Sequence, residues 1–279
     1  MKIASKEYVI KKLTTLMITP KKKYSQNFLV DYDIVKKSVD ELDLKKEEVI
    51  IEIGPGLGAL TQELLDRGNE VYAYEIDEDM YNHLKETFTY YNNLHLFKAD
   101  FMKVDLSLFS NKKVKVISNV PYNLTTPIIE KILTSSLDIE CFEFMVQKEV
   151  YERIKAKKGN KDYSPLNIII NYLGTLSLVL KVPKDRFVPS PNVDSCILKL
   201  EFNKKRIEPD QEKELFRIIN ACFFQRRKTI LNNLTIYLGS KEKAKILLEL
   251  SQIDERVRGE QLDLENYLIL SKNALIIKK

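Results

Sequence analysis

Between residues 49 and 154, short apolar runs alternate with stretches of helical spacing. The runs at 49–53, 70–75, 94–98, 114–118 and 141–146 read as strands, and the segments at 60–65, 79–88, 126–133 and 147–154 as helices. This alternation restricts the chain to an α/β architecture, a Rossmann-like parallel sheet with helices on both faces. A sheet of that kind takes its ligands just past the carboxyl ends of its strands. Before it, residues 1–20 read as a peripheral helical extension and 33–44 as a helix. After it, 166–173 reads as a helix, 176–182 as a strand and 194–202 as a closing strand. Residues 187–191 are expected to form a loop, because Pro189 and Pro191 block a regular ladder. The polar stretch 203–209 reads as a linker, and 211–270 has helical periodicity throughout. The expected organisation is an extension at 1–20, a sheet domain at 21–203 and a small all-helical domain at 204–279.

The chain has 279 residues, enough for a full core, and no apolar run of membrane-spanning length. Cys141, Cys196 and Cys222 are odd in number and match no metal pattern, as expected of small core residues in a reducing cytoplasm. Only His83 and His95 are present, which argues against a histidine metal site or a Ser-His-Asp triad, so no metal is expected. A formal net charge of +5 matters less than its clustering. Basic blocks stand at Lys21-Lys22-Lys23, at Lys155, Lys157, Lys158 and Lys161, and at Arg226-Arg227-Lys228. No heptad or exposed apolar stripe argues for a dimer, so a monomer is expected.

The first strand runs into Glu52-Ile53-Gly54-Pro55-Gly56-Leu57-Gly58 and a helix follows. Glycines there allow a tight turn and a close approach of backbone to ligand. Gly54-x-Gly56-x-x-Ala59 also satisfies the relaxed dinucleotide pattern. Two features favour S-adenosylmethionine: Glu52 stands where an acid can reach an amino-acid ammonium directly or through water, and the spacing requires no pyrophosphate. Glu75 ends the second strand, about 20 residues on, where a carboxylate can accept both ribose hydroxyls. Asp100 follows the third strand, within reach of an adenine amine. Asn119-Val120-Pro121-Tyr122 follows the fourth and joins an amide, a proline and an aromatic face. Those groups together can hold a planar amine-bearing base.

Six segments resemble the ribosomal RNA adenine N6-dimethyltransferases: Gln26-Asn27-Phe28-Leu29, the run from Glu52 to Gly58, Asn119-Val120-Pro121-Tyr122, Gln147-Lys148-Glu149-Val150, Phe187-x-Pro189-x-Pro191-x-Val193-Asp194-Ser195, and Phe224-Gln225-Arg226-Arg227-Lys228. The resemblance runs from about Lys21 to the C-terminus and is greatest to the KsgA type. It implies a class I S-adenosylmethionine-dependent methyltransferase domain that modifies two adjacent adenosines near the 3′ end of small-subunit (16S) rRNA, with the helical domain binding rRNA of the 30S particle. By the same resemblance, Asn27, Leu29, Gly54, Glu75, Asp100 and Asn119 contact the cofactor, and residues 26–29 fold over it. Asn119, Pro121 and Tyr122 handle the target adenine, and Phe187 flanks its other face. Lys21–Lys23 and Arg226, Arg227 and Lys228 hold flanking phosphates. The chain departs from the pattern at Ser118, where glycine is usual, and at Val120, where leucine is usual. Lys23-Tyr24-Ser25-Gln26 is closer to the erythromycin-resistance methyltransferases of large-subunit rRNA. That type, and a non-catalytic ribosome-binding factor on the same fold, are the alternatives.

Overall fold

The computed structural model of the chain describes residues 2–17, 26–119, 125–204 and 206–278. In chain order its main elements are α1 (Lys6–Thr15), β1 (Phe28–Leu29), α2 (Tyr32–Glu41), β2 (Val49–Ile53), α3 (Ala59–Asp66), β3 (Glu70–Glu75), α4 (Glu78–Thr87), β4 (Leu94–Lys98), β5 (Lys113–Ser118), α5 (Thr125–Leu133), β6 (Asp138–Gln147), α6 (Lys148–Ile154), α7 (Pro165–Leu173), β7 (Gly174–Val182), β8 (Phe187–Val188), β9 (Ser195–Phe202), α8 (Pro209–Phe223), α9 (Ile230–Leu238), α10 (Lys241–Leu250) and α11 (Leu264–Ile277).

Contacts divide the chain into two compact units. One comprises Met1–Tyr151 and Leu176–Phe202, the other Glu152–Thr175 and Asn203–Lys279. The first unit carries a seven-stranded sheet in the order β4-β3-β2-β5-β6-β9-β7. β4, β3, β2, β5 and β6 are parallel neighbours, and β9 runs antiparallel to β6. The central strands are buried along nearly their whole length, as expected of a parallel sheet covered on both faces. From β2 the chain winds outward through β3 to β4, then returns to pair β5 against the other side of β2. The strand order reverses there, so the carboxyl ends of β2 and β5 form the switch-point crevice of an open α/β sheet. Gly54 leaves one strand end and Asn119 the other.

Local chemistry starts the helices around this crevice. Asp31 caps α2 by accepting from the N–H groups of Asp33 (3.0 Å) and Ile34 (3.3 Å), and Asp77 caps α4 by accepting from Asp79 (2.9 Å). α3 starts at Gly58, whose φ of +88° places it in the left-handed region; a Cβ there would stand 2.6 Å from the Phe88 ring. The loop must therefore be glycine at that position for both backbone and packing reasons.

Two expectations are revised in this unit. The N-terminal extension is not peripheral. Ile3, Ala4 and Val9 are buried in the first unit's core, the Ile3 N–H donates to Gln62 Oε1 (3.3 Å), and Ser5 bridges to Asp31. Three apolar side chains next to a serine cap (Ser5, accepting from the Tyr8 N–H) give this segment a face to bury. The expected loop at 187–191 begins with β8, which pairs antiparallel with β1 in a separate two-stranded ribbon, Leu29 opposite Phe187 and Phe28 opposite Val188. Only residues after Val188 lack a ladder.

The second unit packs α8 to α11 together with the segment Glu152–Thr175, which the sequence-based division had grouped with the sheet. Hydrogen bonds explain the difference. Tyr172 donates its hydroxyl to Glu212 (2.7 Å) and accepts from the Ile207 N–H (3.2 Å), and the Asn203 amide donates to the Tyr172 carbonyl (3.1 Å). Asn167 serves the same segment from within, donating to the carbonyls of Arg153, Ile154 and Ala156. The hydroxyl of Tyr267, fully buried on α11, donates to the Gly259 carbonyl (2.9 Å).

Candidate active site

At the switch point lies a cleft with about 1160 Å³ of empty space, part of it open solvent. Gly54, Gly56, Glu75, Asp100 and Asn119 all line it, as do Gln26, Asn27 and Leu29. Residues proposed from four separate strand ends and one preceding segment are thus brought to one concavity. Its walls also include Ile3 and Val9 of the N-terminal segment, which sequence reasoning did not assign.

The corner beneath the glycines is held by Glu75. Its Oε2 accepts from the Gly56 N–H (3.0 Å) and its Oε1 from the Asp77 N–H (2.8 Å). Burial pushes its carboxyl pKa up, and those two donors pull it back. A carboxylate has about four acceptor sites, and these donors leave capacity for a ligand hydroxyl. Asp77 carries a further bond from Gln26 Nε2 (3.1 Å), tying the Gln26–Leu29 segment to the same corner. The Glu75–Gly56 bond depends on the pairing of β2 with β3, so no linear motif reveals it.

Asp100 caps the 3-10 turn Phe101–Lys103, its Oδ1 accepting from the Met102 N–H (3.0 Å). Phe101 and Met102 join it in the cleft lining. Acid, aromatic and thioether stand together, a set suited to the edge and faces of a purine.

Asn119 follows β5 directly. Ser118, the residue that departs from the expected glycine, is buried and donates its hydroxyl to the Ile53 carbonyl (3.2 Å), joining β5 to β2 at the switch point. Asn119 also borders a second, smaller cavity, of about 250 Å³ empty space, shared with Ser38 and Glu143. Glu143 accepts a bond from Ser38, and burial pushes its carboxyl to about 8. Neither residue was singled out from the sequence.

Glu52 lies beneath the glycine loop rather than in the cleft lining. It is buried, accepts from the Thr61 hydroxyl (2.7 Å), and is not among the residues lining the cleft. Burial pushes its pKa to about 8. A strand buried on both faces gives no periodicity from which to tell which way its one acid points, and here it backs onto α3. Direct contact with a ligand ammonium is therefore not its part.

Phe187 is buried and stands opposite Leu29 in the β1–β8 ribbon, outside the cleft lining. The ribbon is reinforced by the Val30 N–H donating to the Arg186 carbonyl (2.9 Å) and by an Arg186–Asp31 ion pair (3.1 Å). In the second unit, Arg226 is engaged internally: its Nη2 donates to the carbonyls of Lys161 (2.6 Å) and Tyr163 (3.3 Å) and to Glu260 (3.0 Å). Arg227 and Lys228 are exposed, with no ion-pair partner among the described residues, and Phe224 beside them is 69% exposed. Pro121, Tyr122, Val120, Lys21–Lys23, Tyr24 and Ser25 lie outside the described residues.

The sheet order, the glycine loop after its central strand and the acids after the next two strands define a class I S-adenosylmethionine-dependent methyltransferase. Residues 17–274 match the family described as ribosomal RNA adenine dimethylase. The chain belongs to that family. It is 41% identical over 266 residues, 91% of each chain, to the ribosomal RNA small subunit methyltransferase A of Geobacillus sp. (strain WCH70). Among solved structures it is similar to a dimethyladenosine transferase from Plasmodium falciparum, with a TM-score of 0.72 at 27% identity, covering 88% of this chain and 98% of that one. It is also similar to the 23S rRNA methyltransferase ErmE, with a TM-score of 0.64 at 25% identity, covering 88% and 99%.

Proposed function

We propose that this chain dimethylates N6 of two adjacent adenosines near the 3′ end of small-subunit rRNA, working as a monomer in the cytoplasm on the assembling small subunit. The observation that carries the reading is the meeting of Asn119 with the Gly54–Gly56 backbone, Glu75 and Asp100 in one cleft. The small-subunit target is supported by the 41% identity to a relative named for that subunit, against 25% to the large-subunit enzyme. Cys141, Cys196 and Cys222 are buried and form no disulfide among the described residues, which suits a reducing compartment.

Bound S-adenosylmethionine supplies an electrophilic methyl on a sulfonium. The residues fit it: the positive φ of Gly54 (+69°) and Gly56 (+58°) leaves backbone open to close approach, Glu75 has spare acceptor capacity for a ribose hydroxyl, and Asp100 accepts from the adenine amine. Asn27 and Leu29 close the cleft from the side of the ribbon. Adenine N6 of the RNA is a poor nucleophile because its lone pair is delocalised. The Asn119 side-chain oxygen and, on the family resemblance, the Pro121 carbonyl accept its two N–H bonds. Those acceptors favour a pyramidal nitrogen with its lone pair aimed at the methyl, a contribution of orientation and electrostatic preorganisation. Tyr122 stacks on the base, which is typically worth about 1–3 kcal/mol, and Phe187 supports the opposite side through its pairing with Leu29. No strong base is required, since the methylated aminium loses its proton to water. An unstacked adenosine is needed for any of this, and single-stranded loops supply one at least cost. Arg227 and Lys228 hold phosphates of the flanking RNA, a contribution that is salt-dependent and blind to sequence.

The test offers unmethylated small and large ribosomal subunits separately, with cofactor labelled in the methyl group, and maps the modified base. Label on two adjacent adenosines of the small subunit supports the reading. Label on large-subunit RNA alone would transfer the chain to the erythromycin-resistance type, and no label on either would support the non-catalytic alternative.

A further inference from the structure

Lys131, on α5, meets an unusual set of partners. Its ammonium donates to three backbone carbonyls, those of Phe101 (2.7 Å), Met102 (2.9 Å) and Val104 (2.8 Å). Three donors meet three acceptors, so the ammonium is saturated by one short segment of chain. The nitrogen also stands 5.3 Å from the centroid of the Phe101 ring. Burial draws its pKa below the usual lysine value, against the pull of Asp100 and Asp105. A cation in this position has given up water for carbonyls, and carbonyls gathered around one point repel each other without it.

The segment so gathered is the one that serves the cleft. Asp100, Phe101 and Met102 all line it. Asp100 takes its orientation from the 3-10 turn Phe101–Lys103, because it accepts from the Met102 N–H. The carbonyls of two residues of that turn are bonded by Lys131. α5 begins three residues after Tyr122, and its Ile128 lines the same cleft.

We propose that Lys131 is a positioning residue for the adenine end of the cofactor subsite, fixing the turn that presents Asp100 and Phe101. This rests on the cofactor reading given above. The residue touches no reacting atom, so its loss changes how the cofactor is held rather than how the methyl moves.

The experiment measures binding of S-adenosylhomocysteine and of S-inosylhomocysteine, which lacks the 6-amine, by calorimetry to the full chain, together with steady-state methylation. In Lys131→Met the dissociation constant for S-adenosylhomocysteine and the KM for the cofactor are expected to rise about tenfold, with kcat within roughly twofold. The preference for the adenosyl over the inosyl compound is expected to collapse, a ratio that simple loss of folded protein would leave unchanged. In Lys131→Cys, aminoethylation restores an ammonium at nearly the original place and is expected to restore both affinity and preference; Cys141, Cys196 and Cys222 are buried and shielded from the reagent. Unchanged affinity in Lys131→Met, an intact adenosyl preference, or a failure of aminoethylation to restore either would overturn the inference while leaving the cofactor reading in place. A wild-type chain that bound no S-adenosylhomocysteine would overturn both together.

Discussion

Glu52 and Glu143 are each about 1% exposed. Each has one oxygen bonded to a hydroxyl and one without a partner among the described residues. Burial is the main cause that lifts both to about 8. The folded chain therefore keeps two protons that the unfolded chain releases above the ordinary glutamate pKa of 4.5. Their contribution to stability is complete below that value and is lost as pH rises through 8, at a slope of at most about 1.4 kcal/mol per pH unit per carboxyl. Chemical denaturation across pH 5 to 9 should show this fall. Glu143→Gln, which keeps an acceptor for Ser38 and carries no charge, should flatten it and be the more stable protein at about pH 9. An unchanged slope in that variant would refute the assignment. At Asn119 the expected effect is on turnover: Asn119→Ala should lose at least about a hundredfold in kcat with its melting temperature unchanged. Near-normal turnover would remove it from the mechanism. Residues at this scale were unevenly legible. Asn119, Glu75 and Asp100 stand at strand ends, and strand ends are visible in sequence. The side to which Glu52 points, and the bond from Gly56 to Glu75, depend on packing and register that no local pattern encodes.

Among the elements, α1 has the clearest untested consequence. It lies upstream of residue 17, where the family match begins, yet Ile3 and Val9 both line the cleft. Fully burying an aliphatic side chain is worth about 1.5–3 kcal/mol, so deleting residues 2–16 should lower the melting temperature measurably. It should also weaken binding of S-adenosylhomocysteine, since one wall of the cleft goes with it. Calorimetry on the truncated chain that returned wild-type affinity would show that the segment only covers the core. Strands β2, β5 and β6 were readable because they are buried on both faces, the half-exposed edge strand β4 from its place between helical stretches, and the helices from their apolar spacing. The β1–β8 ribbon was not. A two-residue strand has no period, and its partner lies far along the chain, so only the folded chain reveals that Leu29 and Phe187 are opposite neighbours.

At the scale of the whole molecule, charge is sorted by whether it is already engaged. Lys158 pairs with Asp263 (2.5 Å), Lys155 with Glu152 (2.8 Å) and Arg226 with Glu260 (3.0 Å). Arg227 and Lys228 have no such partner among the described residues. Replacing those two by alanine should flatten the dependence of log Kobs for RNA on log salt by roughly 1.4 to 1.8, whereas Lys155→Ala with Lys158→Ala should leave the slope unchanged. A filter-binding titration at several salt concentrations separates the two. Arg226→Ala, by contrast, should lower thermal stability, because two backbone carbonyls and a carboxylate lose their donor. The sequence marked all three residues of the block alike, since composition records charge but not which charges the fold has already used. It likewise grouped residues 152–175 with the sheet, because the bonds of Tyr172 to Asn203, Ile207 and Glu212 are invisible in a linear reading.

That segment sets a rule for protein engineering. The helical body is stitched from two stretches of polypeptide separated by the last strands of the sheet. Transplanting it between homologues therefore takes two grafts. A chimera spliced once, near residue 203, would keep Asn167 with its own carbonyls but leave Tyr172 facing a foreign Glu212 and a foreign backbone at 207.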